Sequence, residues 1–133
     1  MKIISTSNKT NSMATKKFIQ DFYKSEALIN SKLLETYLHP DFIMEWNGHN
    51  GILKMNKKEW LDYTLELERT YIRFKAKIIH LLVDKDLVSI NYSLYVRIVE
   101  NPREELYLTD FMTIWEMKDD KFYRCYQMSR VMK

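Results

Sequence analysis

Three histidines, one cysteine and eighteen carboxylates are the side chains of this sequence that could move a proton or hold a metal near neutral pH. No His, Cys, Asp or Glu cluster has the spacing of a metal-ligand set, so no metal is expected. Cys125 lies in Tyr123-Arg124-Cys125-Tyr126. On a strand, Arg124 would point to the opposite face, which leaves the thiol without an activating neighbour and reads as structural. A lone cysteine cannot close an intrachain disulfide, which suits a reducing compartment. His39 and His49 fall at a helix end and in a turn and are expected to face solvent. His80 interrupts the alternation of Ile78-Ile79-His80-Leu81-Leu82, as at a bulge. It is the one histidine expected near an interior cavity and is the candidate acid/base, beside the plainer reading of a hydrogen-bonded structural residue. Asp110 is the one acid in the middle of a long strand, but its parity sets it on the face opposite Thr113 and Trp115. A structural or interface role follows. Glu45 points away from Trp46 for the same reason.

Aromatic side chains are the stronger signal. Nine Tyr, six Phe and three Trp make up 14% of 133 residues, more than a core of this size requires, and point to an aromatic-lined cavity or a dimer face. The length fits one domain, and 46% hydrophobic with 29% charged residues is a globular balance. The formal charge of +3 comes from scattered Lys and Arg rather than a stripe, so no nucleic acid is expected as partner. The opening MKIISTSNKTNSMATKK has no apolar stretch long enough for a signal peptide or anchor. A disordered lead-in over residues 1–12, one domain over residues 13–133, no membrane partner and a cytoplasmic location are the corresponding expectations.

The elements that must position these residues follow from periodicity. Ala14, Phe18, Ile19, Phe22 and Tyr23 recur at helical spacing from Met13 to Leu28. Asn30 can cap a short second helix with Leu33, Leu34, Tyr37 and Leu38, which Pro40 ends. Phe42 to Trp46 alternates as a strand, and Asn47-Gly48 with Gly51 supplies a turn. Asn56-Lys57-Lys58-Glu59 resembles a capping box ahead of a third helix with Trp60, Leu61, Tyr63 and Leu65. After Arg69 the period falls to 2. Strands are predicted through Ile72 to Ile78, Val88 to Ile98, Leu106 to Met117 and Phe122 to Val131. Their turns are placed at Asp84-Lys85-Asp86, Asn101-Pro102-Arg103 and Asp119-Asp120. Helices first and antiparallel strands last predict an α+β fold, a cone-shaped curved antiparallel sheet wrapped around the N-terminal helices.

This order and its local motifs resemble the nuclear-transport-factor-2-like superfamily, which includes SnoaL-like polyketide cyclases and ketosteroid isomerases. The resemblance spans about Ala14 to Ser129. It rests on Leu38-His39-Pro40-Asp41-Phe42-Ile43-Met44-Glu45-Trp46, on Gly51, on Leu82-Val83-Asp84-Lys85-Asp86-Leu87-Val88, and on Ile114-Trp115-Glu116-Met117-Lys118-Asp119-Asp120-Lys121-Phe122. In the last of these, Asp120 replaces the usual Gly. The resemblance places the isomerase-like catalytic Tyr, general-base Asp and oxyanion-donating acid at Phe22, Trp46 and Thr113. An isomerase needs a base and two donors; phenyl and indole are not proton-transfer groups, and one Thr hydroxyl is a weak donor. A homodimer is what the family often shows.

The cavity so implied receives Phe22, Trp46, Trp60, Tyr63, Ile90, Tyr92, Leu94, Thr113, Trp115 and Gln127. The bland reading is that these side chains simply fill the cone. The preferred one is binding of a flat, largely apolar small molecule without cofactor, because Trp, Tyr, Thr and Gln carry polar tips that need partners when buried. Two alternatives stand beside it: a cofactor-independent lyase, isomerase or hydrolase using His80, Tyr92 and Gln127, and a homodimeric interaction module with Tyr95 and Tyr107 on its convex face.

Overall fold

The computed structural model describes residues 2–48 and 51–130, with side chains from residue 13 onward. The lead-in expected over residues 1–12 therefore falls on side chains outside the described residues, as do His49 and the end of the last predicted strand.

Helix α1 (Lys2–Lys24) carries Ile19, Phe22 and Tyr23 into the core at the spacing its sequence predicts. It gives way to a 3-10 turn, Ala27–Ile29, entered through Glu26 at φ 60°. That left-handed conformation turns the Glu26 carboxylate back onto the sheet. There Oε1 accepts from the Phe74 backbone N–H at 2.9 Å, and so occupies a donor on an edge strand. Asn30 caps α2 (Ser31–Tyr37) by accepting from Leu33 N at 3.1 Å. The capping box of α3 (Lys57–Thr70) is complete: Asn56 Oδ1 accepts from Glu59 N, and Glu59 Oε1 accepts from Asn56 N, both at 2.9 Å.

Six strands form: β1 (Leu38–Gly48), β2 (Gly51–Asn56), β3 (Tyr71–Asp84), β4 (Leu87–Ile98), β5 (Asn101–Lys118) and β6 (Lys121–Ser129); all but β2 fall on the segments whose alternation predicts a strand. They form one sheet in the order β2-β1-β6-β5-β4-β3, antiparallel throughout except where β1 lies parallel to β6. The architecture is the expected α+β one, a curved, mostly antiparallel sheet with helices on its concave side, open at its β2 and β3 edges. Two turn expectations are refined. Asp119 and Asp120 both take positive φ (53° and 61°), the conformation a two-residue hairpin turn needs where the family pattern has Gly. The β4–β5 turn lies at Val99-Glu100, so Pro102 belongs to the strand and not to the turn.

Bulges bend the sheet. One lies between Ile78 and His80 in β3, where the alternation blurs. Another makes Leu108 an extra residue in β5, between the pairs Leu94–Thr109 and Tyr95–Tyr107. A bulge bends its strand and re-aims a side chain. Here it turns Leu108 inward together with Thr109 and Phe111. Concave-face residues Val88, Ile90, Tyr92, Leu94 and Val96 of β4 are all buried, each contributing on the order of 2 kcal/mol of hydrophobic stabilisation. No described helix is long and apolar enough to cross a membrane.

Candidate functional site

The concave side of the sheet divides into a filled end and a hollow end. At the filled end, Trp115 stacks on Phe122 with centroids 3.9 Å apart, and Phe22 meets Trp115, Phe122, Tyr23 and Tyr37 edge-on. Trp60 continues the stack against Phe42 at 5.2 Å and Trp115 at 6.1 Å. Phe22 and Ile90 are fully buried, and Thr113 and Trp115 nearly so. None of these four lines the cavity. The correction has a simple cause: edge-to-face packing of large rings closes the narrow end of the cone without leaving a void.

At the other end a cavity of about 100 Å³ remains. Six expected residues surround it: Trp46, Trp60, Tyr63, Tyr92, Leu94 and Gln127. Leu28, Leu67, Tyr71, Phe74, Leu108 and Phe111 complete the wall. Phe111 shares strand parity with Thr113 and Trp115, so alternation alone would have found it. Leu108 is brought in by its bulge, which no residue type announces. The cavity continues into an open groove of about 580 Å³ through the shared walls Trp46, Tyr63, Leu108 and Phe111. Gly48, Ser129 and Arg130 lie at that mouth. Tyr92 stacks on Phe111 (5.1 Å, 20°), while Trp46 stands edge-on to Tyr63 at 6.1 Å.

The polar tips are tied down. Trp46 Nε1 donates to Ser129 Oγ at 3.0 Å, and Thr113 Oγ1 donates to Gln127 Oε1 at 3.0 Å. Deeper, Trp115 Nε1 donates to Tyr23 Oη at 3.1 Å, and the Tyr23 ring lies 4.7 Å from that of Tyr92. Burial raises the pKa of the Tyr23 and Tyr92 phenols well above the ordinary tyrosine value, and it raises Tyr63 as well. These hydroxyls stay protonated at neutral pH. No charged residue lines the cavity among the described residues.

The other chemically capable residues lie elsewhere. His80 is exposed on the outer face, with Nδ1 3.3 Å from Asn91 Oδ1. The bulge that breaks the alternation turns it away from the cavity, which separates it from Tyr92 and Gln127. His39 is buried, contrary to the solvent-facing expectation. Its Nδ1 accepts from Asp41 N at 3.0 Å, its Nε2 faces Asp119 Oδ2 at 3.3 Å, and its ring packs edge-on against Tyr123. Asp110 is on the outer face as its parity requires. The Ser93 hydroxyl donates to it at 2.6 Å, and with Tyr107 and Arg130 this holds its carboxyl below the ordinary carboxylate value. Cys125 is fully buried, and desolvation pushes its thiol well up, the opposite of an activated nucleophile. No group of three or more metal-ligating side chains comes together among the described residues.

Solved structures share this arrangement of helices and curved sheet. IdmH of Streptomyces antibioticus, assigned as a polyketide cyclase, superposes with a TM-score of 0.65 at 17% identity, covering 86% of this chain and 90% of that one. A protein of Shewanella denitrificans assigned to the SnoaL-like polyketide cyclases gives 0.67 at 12% identity, over 86% and 89% of the two chains. The chain has the SnoaL-like, nuclear-transport-factor-2-like fold. BvnE pinacolase of Penicillium brevicompactum matches the SnoaL-like chain with a TM-score of 0.68 at 7% identity, over 84% and 79%. No family model and no curated protein sequence matches it.

Proposed function

We propose that this SnoaL-like domain binds a flat, largely apolar small molecule in the cavity between α3 and the concave face of the sheet. The observation that carries the reading is the wall itself. Seven aromatic rings, those of Trp46, Trp60, Tyr63, Tyr71, Phe74, Tyr92 and Phe111, surround a space that joins a wider open mouth. Apolar walls with few, fixed polar groups are the usual form of a small-molecule site. Binding is favoured over catalysis because the wall offers no carboxylate, imidazole or thiol, and burial holds the phenols of Tyr63 and Tyr92 protonated. The test is thermal shift and native mass spectrometry against a library of aromatic and polycyclic compounds. A compound that raises the melting temperature of the wild type and not of Trp46→Ala supports the reading. A library without a binder removes it.

A second reading, compatible with the first, is that the chain forms a homodimer through the convex face of the sheet. Leu82, Met112, Ile114, Tyr126 and Met128 are all exposed there. The pairs Met112–Met128 and Ile114–Tyr126 stand side by side on β5 and β6, and Ser89 links Ile114 to Leu82. An exposed apolar patch that crosses four strands is a surface monomers seldom keep. Sedimentation of the wild type and of Met112→Lys/Met128→Lys tests it: a dimer that the double variant turns to monomer supports it, and a wild-type monomer at micromolar concentration overturns it.

A further inference from the structure

The cavity's hydrogen-bonding groups have a polarity, and that polarity is set from behind the wall. An indole N–H donates and never accepts. Trp46 Nε1 therefore occupies a lone pair of Ser129 Oγ, at 3.0 Å, and leaves that hydroxyl its proton to give. Thr113 Oγ1 sits behind Gln127 in the same way. It donates to Oε1 at 3.0 Å, which fixes the amide with Nε2 as its remaining group. Among the described residues nothing accepts from Gln127 Nε2 or from the Ser129 hydroxyl. Both residues lie on the concave side of β6, Gln127 at the inner cavity and Ser129 at the mouth. Two residues apart on one strand, they are separated by about 7 Å.

We propose that Gln127 and Ser129 are specificity-determining donors, so that the site admits neutral flat ligands carrying hydrogen-bond acceptors, aryl ketones being the simplest class, and discriminates against bare hydrocarbons and cations. This rests on the small-molecule reading given above. The inner space of about 100 Å³ takes roughly a single ring, with its carbonyl oxygen on Gln127 Nε2. The remainder of a larger ligand lies in the mouth, where Ser129 reaches a second acceptor. The aromatic wall by itself would also suit a quaternary ammonium group through cation–π attraction. Both unpaired groups present positive hydrogens to the ligand, and no carboxylate lines the wall to balance a cation, so the neutral acceptor is the favoured occupant.

Three probes of similar size decide the matter: 1-tetralone with one carbonyl, tetralin without it, and phenyltrimethylammonium as the cation. Their affinities are measured by titrating tryptophan fluorescence of the full chain. The expected result is that tetralone binds about tenfold tighter than tetralin, the worth of one good hydrogen bond. Gln127→Leu should bring the two to equal affinity by weakening tetralone alone. Thr113→Val leaves the fold's shape intact and releases the amide to rotate, so it should lower the tetralone preference without removing tetralin binding. Equal binding of tetralone and tetralin by the wild type overturns the donor assignment while the small-molecule reading stands. Tighter binding of the ammonium probe likewise overturns it. Failure of all three to bind at millimolar concentration overturns this inference and counts against the small-molecule reading itself. A Gln127→Leu protein that keeps the wild-type preference also overturns it, and an unchanged melting temperature shows that the variant is folded.

Discussion

Trp115 Nε1 donates to Tyr23 Oη at 3.1 Å, joining the C-terminal part of β5 to the last turn of α1 across 92 residues of sequence. Both side chains are buried, so neither can exchange this partner for water. Tyr23→Phe keeps the ring and removes the acceptor, stranding a buried indole N–H. The expected loss is about 1–3 kcal/mol, read as a lower urea midpoint with an unchanged m-value. A Tyr23→Phe protein as stable as the wild type would show that the bond contributes nothing net.

The same buried hydroxyls make the fold sensitive to alkali. The pKa values of Tyr23, Tyr92 and Cys125 are raised in the folded state, chiefly by desolvation, whereas the unfolded chain titrates near the ordinary 10.0 for tyrosine and 9.0 for cysteine. Above those values the unfolded state has lost protons that the folded state still holds, so stability falls as pH rises. Below about pH 9 these groups contribute no slope. Beyond pH 10 each contributes up to about 1.4 kcal/mol of lost stability per pH unit. Denaturant melts from pH 8 to 11 should show the decline, and Tyr92→Phe should make it shallower by one proton.

Thr64 on α3 offers a gain in the other direction. Among the described residues its Oγ1 is the buried side-chain atom without a hydrogen-bond partner, and the residue is fully buried. Thr64→Val replaces an unpaired hydroxyl with a methyl group of similar size and keeps the branch at Cβ. A stabilisation of roughly 1 kcal/mol is expected, a rise of a few degrees in melting temperature. An unchanged or lowered melting temperature would mean the hydroxyl is satisfied within the helix.

The periodic elements were readable because their signals are local: the Asn56–Glu59 capping box, the alternation through Val88, Ile90, Tyr92, Leu94 and Val96, and the Asp119-Asp120 turn each depend on neighbours in sequence. What was not readable depends on how far large rings interlock. Helical spacing aims Phe22 inward and strand parity aims Thr113 and Trp115 inward, yet neither says that Phe122 and Trp60 will close over them and push the cavity toward Trp46 and Tyr63. Bulges work the same way on single residues. His80 is turned out and Leu108 is turned in by one-residue irregularities that hydrophobic pattern can locate only as a blur. His39 escaped because the residues it meets, Asp119 and Tyr123, lie eighty and more positions away.

His39 is accordingly a structural tie between the start of β1 and the β5–β6 turn. Since Nδ1 accepts from Asp41 N, the proton sits on Nε2 and faces the Asp119 carboxylate. His39→Ala removes both contacts and the edge-on packing on Tyr123, with an expected loss of about 1–2 kcal/mol. His39→Asn can restore the Asp41 bond but not the reach to Asp119, so it should recover part of that loss. Equal destabilisation by the two substitutions would assign the effect to ring packing alone.

Ser129→Ala separates the hold on the cavity wall from the stability of the fold. Trp46 is half-buried at the junction of cavity and mouth, and its one hydrogen-bond partner is Ser129 Oγ, near the end of β6. Removing that hydroxyl frees an indole that water can reach, so no buried donor is stranded and the expected change in stability is under about 1 kcal/mol. The ring, however, loses the contact that fixes its plane against Tyr63 and Phe111. Any ligand stacked on Trp46 must then order it on binding, at an expected loss of severalfold in affinity. Time-resolved fluorescence anisotropy should show faster Trp46 motion in a Trp60→Phe/Trp115→Phe background chosen to isolate its signal. Gly48→Ala would bring a methyl group into van der Waals contact with the same pair, 3.4 Å from both Ser129 Oγ and Trp46 Nε1. If Ser129→Ala left both the anisotropy decay and ligand affinity unchanged, Trp46 would be held by packing on its neighbours and not by this hydrogen bond.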